Sequence, residues 1–311
     1  MSKILVTGGA GFIGSHLVKY LLSKNNEIVV IDNLSQGNKL SQNIENNIEF
    51  INGDIRDKYI INKIAKNCEC IYHFAARLGV EIVAENHKET MEIETIGMQN
   101  IVNAAIKHNI KKIVYASTSG VYGKSAFEKS VAENFSVDPR TSYAVAKRYN
   151  EIYLKAIWEQ HQISSIAIRY FNVYGIKQDE RMVIPRFIYQ AQSNRPITIY
   201  GDGTQTRDFT YIDDTIKRTY DLVQKIKSQS EIFNICGDNE YSINELALKI
   251  KRLTKSQSEI ITMQTPNDRN EFEVKRRTGS SSKIEKYIGK HSHVSLDEGL
   301  ARIINFKNQY I

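Results

Sequence analysis

The sequence predicts an α/β fold built on a doubly wound parallel sheet, with a second, smaller and mixed lobe towards the C-terminus. Three observations predict it. Short apolar runs alternate with amphipathic helical segments up to about residue 175, glycines cluster between the first run and the first helix, and prolines and turns interrupt the alternation from about residue 176. Apolar runs that alternate with helices are typical of parallel strands joined by crossover helices.

The elements of this fold can be assigned in chain order. The predicted strands are the apolar runs at 3–7, 27–31, 70–76, 111–117 and 164–175. The predicted helices carry apolar residues at helical spacing and cover about 14–23, 92–108 and 143–161. We expect residues 1–175 to form a Rossmann-type domain that takes back chain from roughly 205–240, and residues 176–311 to form most of the smaller lobe.

The composition favours a globular protein that acts on small molecules. No apolar run reaches the roughly 18 residues that cross a bilayer, so we expect a cytoplasmic protein without a membrane partner. The net charge is +7, but the basic residues are scattered, whereas nucleic-acid binding needs a concentrated basic stripe. A phosphate-bearing small molecule remains compatible with this charge. The three cysteines, Cys68, Cys70 and Cys236, lack metal-ligand spacing, so no metal site is predicted.

Glycines follow the first predicted strand in the stretch TGGAGFIGSHL. Gly8, Gly11 and Gly14 have the GxxGxxG spacing of a dinucleotide-binding turn. Such a turn needs glycine because its backbone approaches a pyrophosphate closely and its helix packs tightly on the strand, with the helix N-terminus facing the negative charge. We predict that these glycines, with Phe12 and Ile13 between them, bind a dinucleotide.

Polar and small residues at the ends of later strands extend this predicted site. Asp32 ends the second strand about 20 residues after the turn, where a carboxylate can accept a hydrogen bond from a ribose 2′-hydroxyl and repels a 2′-phosphate. This favours NAD over NADP as the cofactor, with Asn33 as a further contact. Asp54 and Ile55 follow the next apolar run and are predicted to meet the adenine ring. Ala75 is small enough for the backbone to approach the cofactor.

A tyrosine and a lysine carry the predicted chemistry. Tyr143 and Lys147 lie four positions apart in SYAVAK, so they share one face of the predicted helix. A nearby ammonium and a positively charged nicotinamide both favour the tyrosine phenolate, which can then exchange a proton with a substrate hydroxyl. Thr118 follows the strand KKIVYA, at the edge where α/β sheets bind ligands. We predict that Thr118 hydrogen-bonds to the same substrate oxygen.

Eight features together resemble one known family. In chain order they are TGGAGFIGSHL, Asp32, GDIRD, HFAA, STSGVYG, YAVAK, RYFNVYG and YGDGTQTRDFTYIDD. They are similar to the motifs of the extended short-chain dehydrogenase/reductase family, in its branch of NAD-dependent nucleotide-sugar epimerases and dehydratases. The resemblance covers nearly the whole chain and weakens after about residue 240. It implies that the first domain binds NAD and that the smaller lobe binds a nucleotide-diphosphate sugar, with a UDP-linked hexose as the expected partner.

The resemblance also implies roles for single residues. Tyr143 abstracts the sugar hydroxyl proton, Lys147 lowers the pKa of Tyr143 and binds the nicotinamide ribose, and Thr118 orients the hydroxyl that is oxidised. Epimerases of the family keep one NAD tightly bound, so no net oxidation occurs. Family members commonly dimerise through the two helices that correspond to 92–108 and 143–161, and a homodimer is therefore expected.

Arginine and amide residues of the second half are implied to bind the substrate. Asn172 in RYFNVYG and Arg207 in TRDFTY match positions with which the family binds the nucleotide diphosphate, and Arg269 in PNDRN resembles its last phosphate-binding arginine. A guanidinium fork suits phosphate oxygens, and an amide can donate to them. Counting back from SSSKI puts Arg277 near the position that gates the sugar. A bulky arginine there would disfavour an N-acetyl group or pair with a uronate carboxyl, unless Arg277 only belongs to a basic surface cluster.

The two residues after Thr118 discriminate between the reactions of the family. The resemblance implies that 4,6-dehydratases carry Asp-Glu there and that decarboxylases carry a glutamate at the second position, whereas this chain has Ser119 and Gly120. Because neither residue can supply the acid or base of those reactions, 4-epimerisation of a UDP-sugar is predicted. A 4-ketoreductase would keep the same three residues, although Asp32 disfavours the NADPH of net reductases. A non-catalytic dinucleotide-binding protein is the alternative outside the enzymes.

Overall fold

The structure is a computed structural model that describes residues 2–77, 86–126, 130–265, 274–291 and 293–308. The chain divides into two compact units. The first unit consists of Met1–Val121, Pro139–Arg169 and Arg218–Phe233. The second unit consists of Tyr122–Asp138, Tyr170–Lys217 and Asn234–Ile311. The roles given to the two predicted domains stay predictions.

The strands and helices are numbered here in chain order. The strands are β1 (Lys3–Thr7), β2 (Glu27–Asp32), β3 (Glu49–Asn52), β4 (Cys70–His73), β5 (Lys112–Thr118), β6 (Ser164–Tyr170), β7 (Asn172–Tyr174), β8 (Ile197–Tyr200), β9 (Thr206–Tyr211), β10 (Ser230–Ile235), β11 (Glu240–Ser242), β12 (Ile260–Met263) and β13 (Arg276–Arg277). The helices are α1 (Phe12–Leu22), α2 (Gln42–Glu45), α3 (Lys58–Ile64), α4 (His87–Lys107), α5 (Ser142–His161), α6 (Val183–Gln192), α7 (Ile212–Lys225), α8 (Ile243–Thr254), α9 (Ser282–Ile288) and α10 (Leu296–Asn308).

Seven strands form one sheet in the order β3-β2-β1-β4-β5-β6-β10. Strand β1 is parallel to β2 and β4, β2 is parallel to β3, and β4 is parallel to β5. The strand order reverses between β1 and β4, and open α/β sheets bind ligands at the carboxyl ends of the strands that flank such a switch point. The predicted doubly wound parallel sheet is confirmed, and its geometry singles out the ends of β1, β2, β4 and β5.

An apolar row crosses the centre of this sheet. Leu5, Val29, Ile71 and Ile113 are fully buried, and they are register partners across β2, β1, β4 and β5. Side chains from α4 such as Ile101 complete the same core. Because a slip of one residue would turn the whole row towards the other face, this burial fixes the register and therefore the height at which each strand ends.

Three element boundaries differ from the sequence prediction. Helix α1 begins at Phe12 because Gly11 already has the extended backbone of an N-cap. Strand β4 ends at His73, so the two alanines of HFAA lie beyond it. The run 164–175 splits at Phe171 into two strands, because β7 leaves the large sheet and pairs with β9. A run of apolar residues cannot show this change of partner, since both strands have the same pattern.

Strand β9 organises the small sheet of the second unit. Its neighbours are β11, β13 and β7. Strands β13 and β7 run parallel to it and β11 antiparallel, which agrees with the predicted mixed lobe. Strands β8 and β12 form a separate parallel pair. Through β9, segments that are far apart in the sequence become neighbours.

The described ranges contain neither a membrane-spanning helix nor a cluster of metal-binding side chains. None of the helices there has the length and hydropathy of a membrane span. No three side chains among the histidines, cysteines, aspartates and glutamates there are grouped so that they could hold a metal ion.

Candidate active site

The glycine turn between β1 and α1 is tightly packed. Gly8 has a φ of +70°, and a Cβ atom there would lie 2.5 Å from the backbone nitrogen of Ala75. A Cβ atom on Gly14 would overlap the carbonyl oxygen of Gly8. Only glycine satisfies both conditions, since other residues rarely adopt this backbone and all others carry Cβ. The structure therefore brings Gly8, Gly14 and Ala75 together, as the dinucleotide-turn prediction requires.

The N-terminus of α1 emerges from this turn. Gly11 is the N-cap residue, and no side chain among the described residues caps the helix. The first N–H groups of a helix have no partner within it, and the helix dipole makes this end attractive to anions. The N–H groups of Phe12 and Ile13 are in this first turn. Their predicted role as pyrophosphate donors fits the local geometry.

Asp32 at the end of β2 is bonded to the glycine turn. One carboxylate oxygen accepts the N–H of Ala10 at 3.0 Å, and the other accepts the N–H of Leu34 at 2.9 Å. Burial raises the pKa of Asp32, and these two hydrogen bonds oppose the rise. Each carboxylate oxygen has a second lone pair, so the group can still accept a hydrogen bond from a ribose hydroxyl. Asn33 is exposed, and its side-chain oxygen accepts the N–H of Ser35.

The residues predicted to meet adenine have different environments. The Asp54 carboxylate binds the Arg56 guanidinium at 2.7 Å, which holds the pKa of Asp54 below its usual range. The Ile55 side chain is buried in the core, close to Gly97 of α4. Any contact of Ile55 with a ligand would therefore involve its backbone. The sequence pattern did not show that the Ile55 side chain is buried, because the side chain of a residue at the end of a strand can point to the core or to the ligand side.

A buried histidine supports the chain around Ala75. The hydroxyl oxygen of Thr7 accepts the N–H groups of Phe74 and Ala75, each at 3.2 Å. Its own proton is then free for Nδ1 of His73, 2.8 Å away. Burial lowers the pKa of His73 to about 3, with a further contribution from Lys147. His73 is therefore a neutral structural residue that fixes the chain where the alanines approach Gly8.

Thr118 and Tyr143 meet at the end of β5. The N-cap residue Thr141 accepts the N–H of Ala144 and starts α5 directly before Tyr143. The N–H of Gly120 donates to the Thr118 hydroxyl oxygen at 3.1 Å. This leaves the Thr118 proton for Tyr143, and a hydrogen bond from Thr118 opposes the rise in the pKa of Tyr143 that burial causes. The structure thus brings together two of the three residues for which proton transfer is predicted.

Lys147 is held by a residue that the sequence reasoning missed. Its Nζ atom lies 3.1 Å from Oε2 of Glu94 on α4, and both side chains are 0% exposed. The same carboxylate oxygen accepts the hydroxyl of Tyr115 at 3.1 Å. The Nζ atom is also 5.3 Å from the centre of the Tyr143 ring. The available signal in the sequence was a single acid, Glu94, on the otherwise apolar face that contains Ile93.

This ion pair changes the expected electrostatics of Tyr143. The sequence predicts that Lys147 lowers the pKa of Tyr143. In the structure the pKa of Tyr143 is raised, first by burial and then by the Glu94 charge, and the Thr118 hydrogen bond only opposes this. Glu94 lies against Lys147, so its negative charge adds to the effect of burial and offsets the field of the ammonium at Tyr143. Without a ligand, the tyrosine is therefore a phenol.

A second buried carboxylate stabilises the chain below Thr118. Glu151 on α5 accepts the hydroxyl of Ser117 at 2.6 Å. Its two oxygens also accept the buried guanidinium of Arg169, both at 2.8 Å. Arg148 adds a third contact at 3.0 Å. This network fixes the end of β5 against α5 and so sets the distance between Thr118 and Tyr143.

In the second unit, Asn172 is bonded to a buried aspartate. Its side-chain nitrogen donates to Asp208 at 2.9 Å and to the Arg277 carbonyl at 3.5 Å. Asp208 is 1% exposed, and its other oxygen accepts the N–H of Gly279 at 2.8 Å. Burial raises the pKa of Asp208 to about 7. Because the amide hydrogens of Asn172 are engaged, its side chain presents an acceptor oxygen rather than the predicted donor.

Two arginines are neighbours on adjacent strands of the second unit. Arg277 on β13 is the register partner of Arg207 on β9, so both side chains leave the same face of the sheet. The preceding residue, Arg276, leaves the other face, where it binds the Glu240 carboxylate at 2.8 Å. Two adjacent guanidinium groups repel each other, so an anion between them would be stabilised. Arg269 lies outside the described residues.

Comparison with known proteins identifies the family. Residues 4–236 match the model of the NAD dependent epimerase/dehydratase family, and the chain belongs to this family. It is 38% identical over 308 residues to a putative UDP-glucose 4-epimerase of Methanocaldococcus jannaschii, with 97% of each chain covered. It is 34% identical over 314 residues to a UDP-N-acetyl-alpha-D-glucosaminuronate decarboxylase of Bacillus cytotoxicus, with 98% of this chain and 97% of the relative covered.

A solved structure gives the same result for the fold. The UDP-glucuronic acid 4-epimerase of Bacillus cereus, in complex with UDP-glucuronic acid and NAD, matches with a TM-score of 0.90 and 31% identity. The match covers 99% of this chain and 100% of the other. The resemblance seen in the sequence motifs is confirmed. The protein is thus an NAD-dependent enzyme of the nucleotide-sugar epimerase, dehydratase and decarboxylase type.

The described residues fit NAD. The Gly8 turn leaves room only for backbone, the first turn of α1 offers N–H groups, and Asp32 retains acceptor capacity. Beyond its ion pair, Nζ of Lys147 has no hydrogen-bond partner in the described part of the chain. Lys147 is thus a buried donor that still lacks hydrogen-bond acceptors, as a group that binds ribose hydroxyls would be before the cofactor is in place.

Proposed function

We propose that the protein is an NAD-dependent UDP-sugar 4-epimerase, which oxidises the sugar at C4 and then reduces the 4-keto sugar from the opposite face. The observation that carries this proposal is that Lys147 lies 5.3 Å from the Tyr143 ring and that Thr118 acts on the pKa of Tyr143, with Ser119 and Gly120 where a further acid or base would stand. This set suffices for reversible oxidation of an alcohol and has no residue assigned to elimination or decarboxylation.

The reaction removes a proton from the C4 hydroxyl and a hydride from C4 itself, and later returns both. Tyr143 removes the proton of the C4 hydroxyl and later returns it, and Thr118 orients the same oxygen. Held by the glycine turn and Lys147, NAD would supply the acceptor of the C4 hydride and the donor for its return. The positive charge that NAD brings favours the Tyr143 phenolate, which compensates for the Glu94 charge.

A dehydratase or a decarboxylase would need a carboxylate with access to the sugar. Glu94 is a carboxylate near Tyr143, but it is 0% exposed and is bonded to Lys147 and Tyr115. It is therefore engaged in holding other residues. This supports epimerisation over the other two reactions. A net 4-ketoreductase is disfavoured because Asp32 repels the 2′-phosphate of NADPH.

The substrate proposal rests on the second unit. Arg207 and Arg277 would bind the nucleotide diphosphate, and Asn172 would accept a hydrogen bond from the substrate. Arg269 would add a further contact. A second candidate is epimerisation of an acidic UDP-sugar, which the side-by-side arrangement of Arg207 and Arg277 favours. One guanidinium can bind a phosphate through two hydrogen bonds, so the second would be available for a sugar carboxylate.

A homodimer in the cytoplasm completes the proposal. Helices α4 and α5 carry exposed apolar side chains, among them Ile96 at 39%, Val145 at 43% and Ile152 at 55% exposure. A patch of this kind on paired helices is suited to a second copy of the chain. Sedimentation at micromolar concentration is expected to give the dimer mass, and a monomer would contradict this part of the proposal.

The proposal is tested by turnover without added cofactor. The purified protein is incubated with UDP-glucose, UDP-N-acetylglucosamine and UDP-glucuronate, and the products are followed by NMR. Inversion at C4 of at least one sugar is expected. Bound NAD without any turnover, with Tyr143→Phe equal to the natural protein in every assay, would support the non-catalytic alternative instead.

A further inference from the structure

The Glu94–Lys147 pair lies inside the first unit, away from water. Both side chains are 0% exposed, and 3.1 Å separates Nζ from Oε2. Burial lowers the pKa of Lys147 and raises the pKa of Glu94, and each opposes the shift of the other. The charge of each group is therefore conditional on its partner.

Among the described residues, Glu94 is the acid that lies in direct contact with Lys147 and serves as its counter-ion. The titratable groups that face Lys147 are Glu94 from α4, Tyr115 from β5, His73 from β4, and Tyr143 and Glu151 from its own helix. His73 is neutral because its pKa is lowered to about 3, and the two tyrosines are phenols with raised pKa values. Glu151 contributes at longer range and is already bonded to Arg169 and Arg148.

The Glu94 carboxylate is itself held in one position. The side-chain nitrogen of Asn150 donates to the Tyr115 oxygen at 2.9 Å and to the Glu94 backbone carbonyl at 3.0 Å. Tyr115 then donates its own proton to the carboxylate. This chain of donors points the negative charge at Nζ.

We infer that Glu94 is a positioning residue whose carboxylate keeps Lys147 charged and fixed beside Tyr143. Its effect on turnover rests on the proposed function, since it acts through Lys147 and does not reach the sugar. Its effect on the charge of Lys147 is independent of any substrate. The two effects can therefore be measured separately.

The charge of Lys147 is tested directly in the NAD-loaded protein. Lysine is labelled with ¹³C at Cε, the Lys147 signal is assigned by its loss in Lys147→Arg, and pH is varied. In Glu94→Gln this signal is expected to titrate at a clearly lower pH than in the natural protein, because burial then lowers the pKa of Lys147 without the opposing charge of Glu94. Glu159→Gln, which neutralises an exposed acid on α5, is expected to match the natural protein.

Turnover gives the second readout. In Glu94→Gln the rate is expected to fall about tenfold for each pH unit above the new Lys147 pKa, while Glu159→Gln keeps the natural profile. If Glu94→Gln does not fold, Glu94→Asp is used, because it keeps the negative charge but places it farther from Lys147. The pKa of Lys147 in Glu94→Asp is expected below that of the natural protein and above that of a variant without the charge. An unchanged Lys147 titration in a folded Glu94 variant overturns the inference. A shifted titration in a protein that epimerises no sugar upholds the inference and rejects the proposed function.

Discussion

Both units bury a carboxylate beside their candidate functional residues, and they stabilise it in different ways. Glu94 in the first unit lies against the ammonium of Lys147. Asp208 in the second unit accepts hydrogen bonds from two neutral donors, the Asn172 amide and the Gly279 backbone. Both lose nearly all contact with water. The difference shows that burial alone does not fix the charge of a carboxylate, since the partner decides it.

The different partners also give Glu94 and Asp208 different roles. A cation stabilises the carboxylate anion, so Glu94 and Lys147 stay charged as a pair. Burial raises the pKa of both carboxyl groups; the Lys147 ammonium opposes the rise at Glu94, whereas hydrogen bonds from Asn172 and Gly279 oppose it at Asp208, whose pKa rises to about 7. Glu94 supports a charge, whereas Asp208 orients the amide of Asn172 and the chain at Gly279.

The largest expected effect is on Tyr143, next to the charged pair. Tyr143→Phe removes the hydroxyl that exchanges the proton, and turnover is expected to fall by about 10²–10⁴-fold, as for the loss of a general acid–base group. Rates are measured under single-turnover conditions with the NAD content checked. Tyr149→Phe is the control, since Tyr149 is exposed on the same helix and should keep the natural rate. Equal losses in both variants would contradict the assignment.

The second effect concerns the pH dependence of stability through Asp208. Its pKa in the folded protein lies above the value of an unfolded chain, so the folded state holds the proton between about pH 4 and 7. The contribution to stability is complete below pH 4 and is lost as pH rises through 7. Asp208→Asn has no such loss. Its free energy of unfolding, relative to the natural protein, should rise by up to about 4 kcal/mol over this range.

Urea unfolding at several pH values measures this difference. Asp202→Asn is the control in the same unit, since hydrogen bonds from Thr204 lower the pKa of Asp202 and the sign is reversed. A relative stability of Asp208→Asn that stays constant between pH 4 and 8 would remove the contrast with Glu94.

A smaller effect is expected at the glycine turn of the first unit. Gly8→Ala combines a left-handed backbone with a Cβ atom 2.5 Å from Ala75, whereas Gly37→Ala meets nothing within 4 Å at a similar φ of +75°. The backbone alone costs about 1–2 kcal/mol in each variant. Only Gly8→Ala should lose more stability than this and should also lose bound NAD. Thermal unfolding and the NAD content of the two purified variants measure these losses. Equal stability and equal NAD content in Gly8→Ala and Gly37→Ala would show that the close contact of Gly8 with Ala75 is unimportant.

The smallest effect is predicted for the arginines of the second unit. Arg277→Gln removes one of the two guanidinium groups on the face shared with Arg207, and KM should rise about tenfold, as for one charge-assisted hydrogen bond. The rise should be larger for UDP-glucuronate than for UDP-glucose if Arg277 meets a carboxylate. Arg276→Gln, on the opposite face, is expected to leave both KM values unchanged. Equal changes in the two variants would assign Arg277 to the surface cluster.

The two regions also differ in how far the sequence predicts them. The glycine turn, Tyr143 and Lys147 lie in short local patterns, because close backbone approach and one helix face are local properties. Local patterns did not identify Glu94, because its partner Lys147 is 53 positions away and on another helix. In the second unit Asn172 and Arg207 were expected to bind a ligand, but only the pairing of β9 with β7 and β13 places Asn172 against Asp208 and Arg207 beside Arg277. Contacts made through sheet register have no local signature.

The most direct test of the account uses a UDP-sugar with deuterium at C4. The enzyme is incubated with it without added cofactor, and the products are analysed by NMR. An epimerase that uses Thr118, Tyr143 and Lys147 as proposed gives the C4-inverted sugar with the deuterium still on C4, because the hydride returns to the carbon that it left. Deuterium on another carbon, loss of carbon dioxide or a keto sugar as the final product would contradict the proposed reaction.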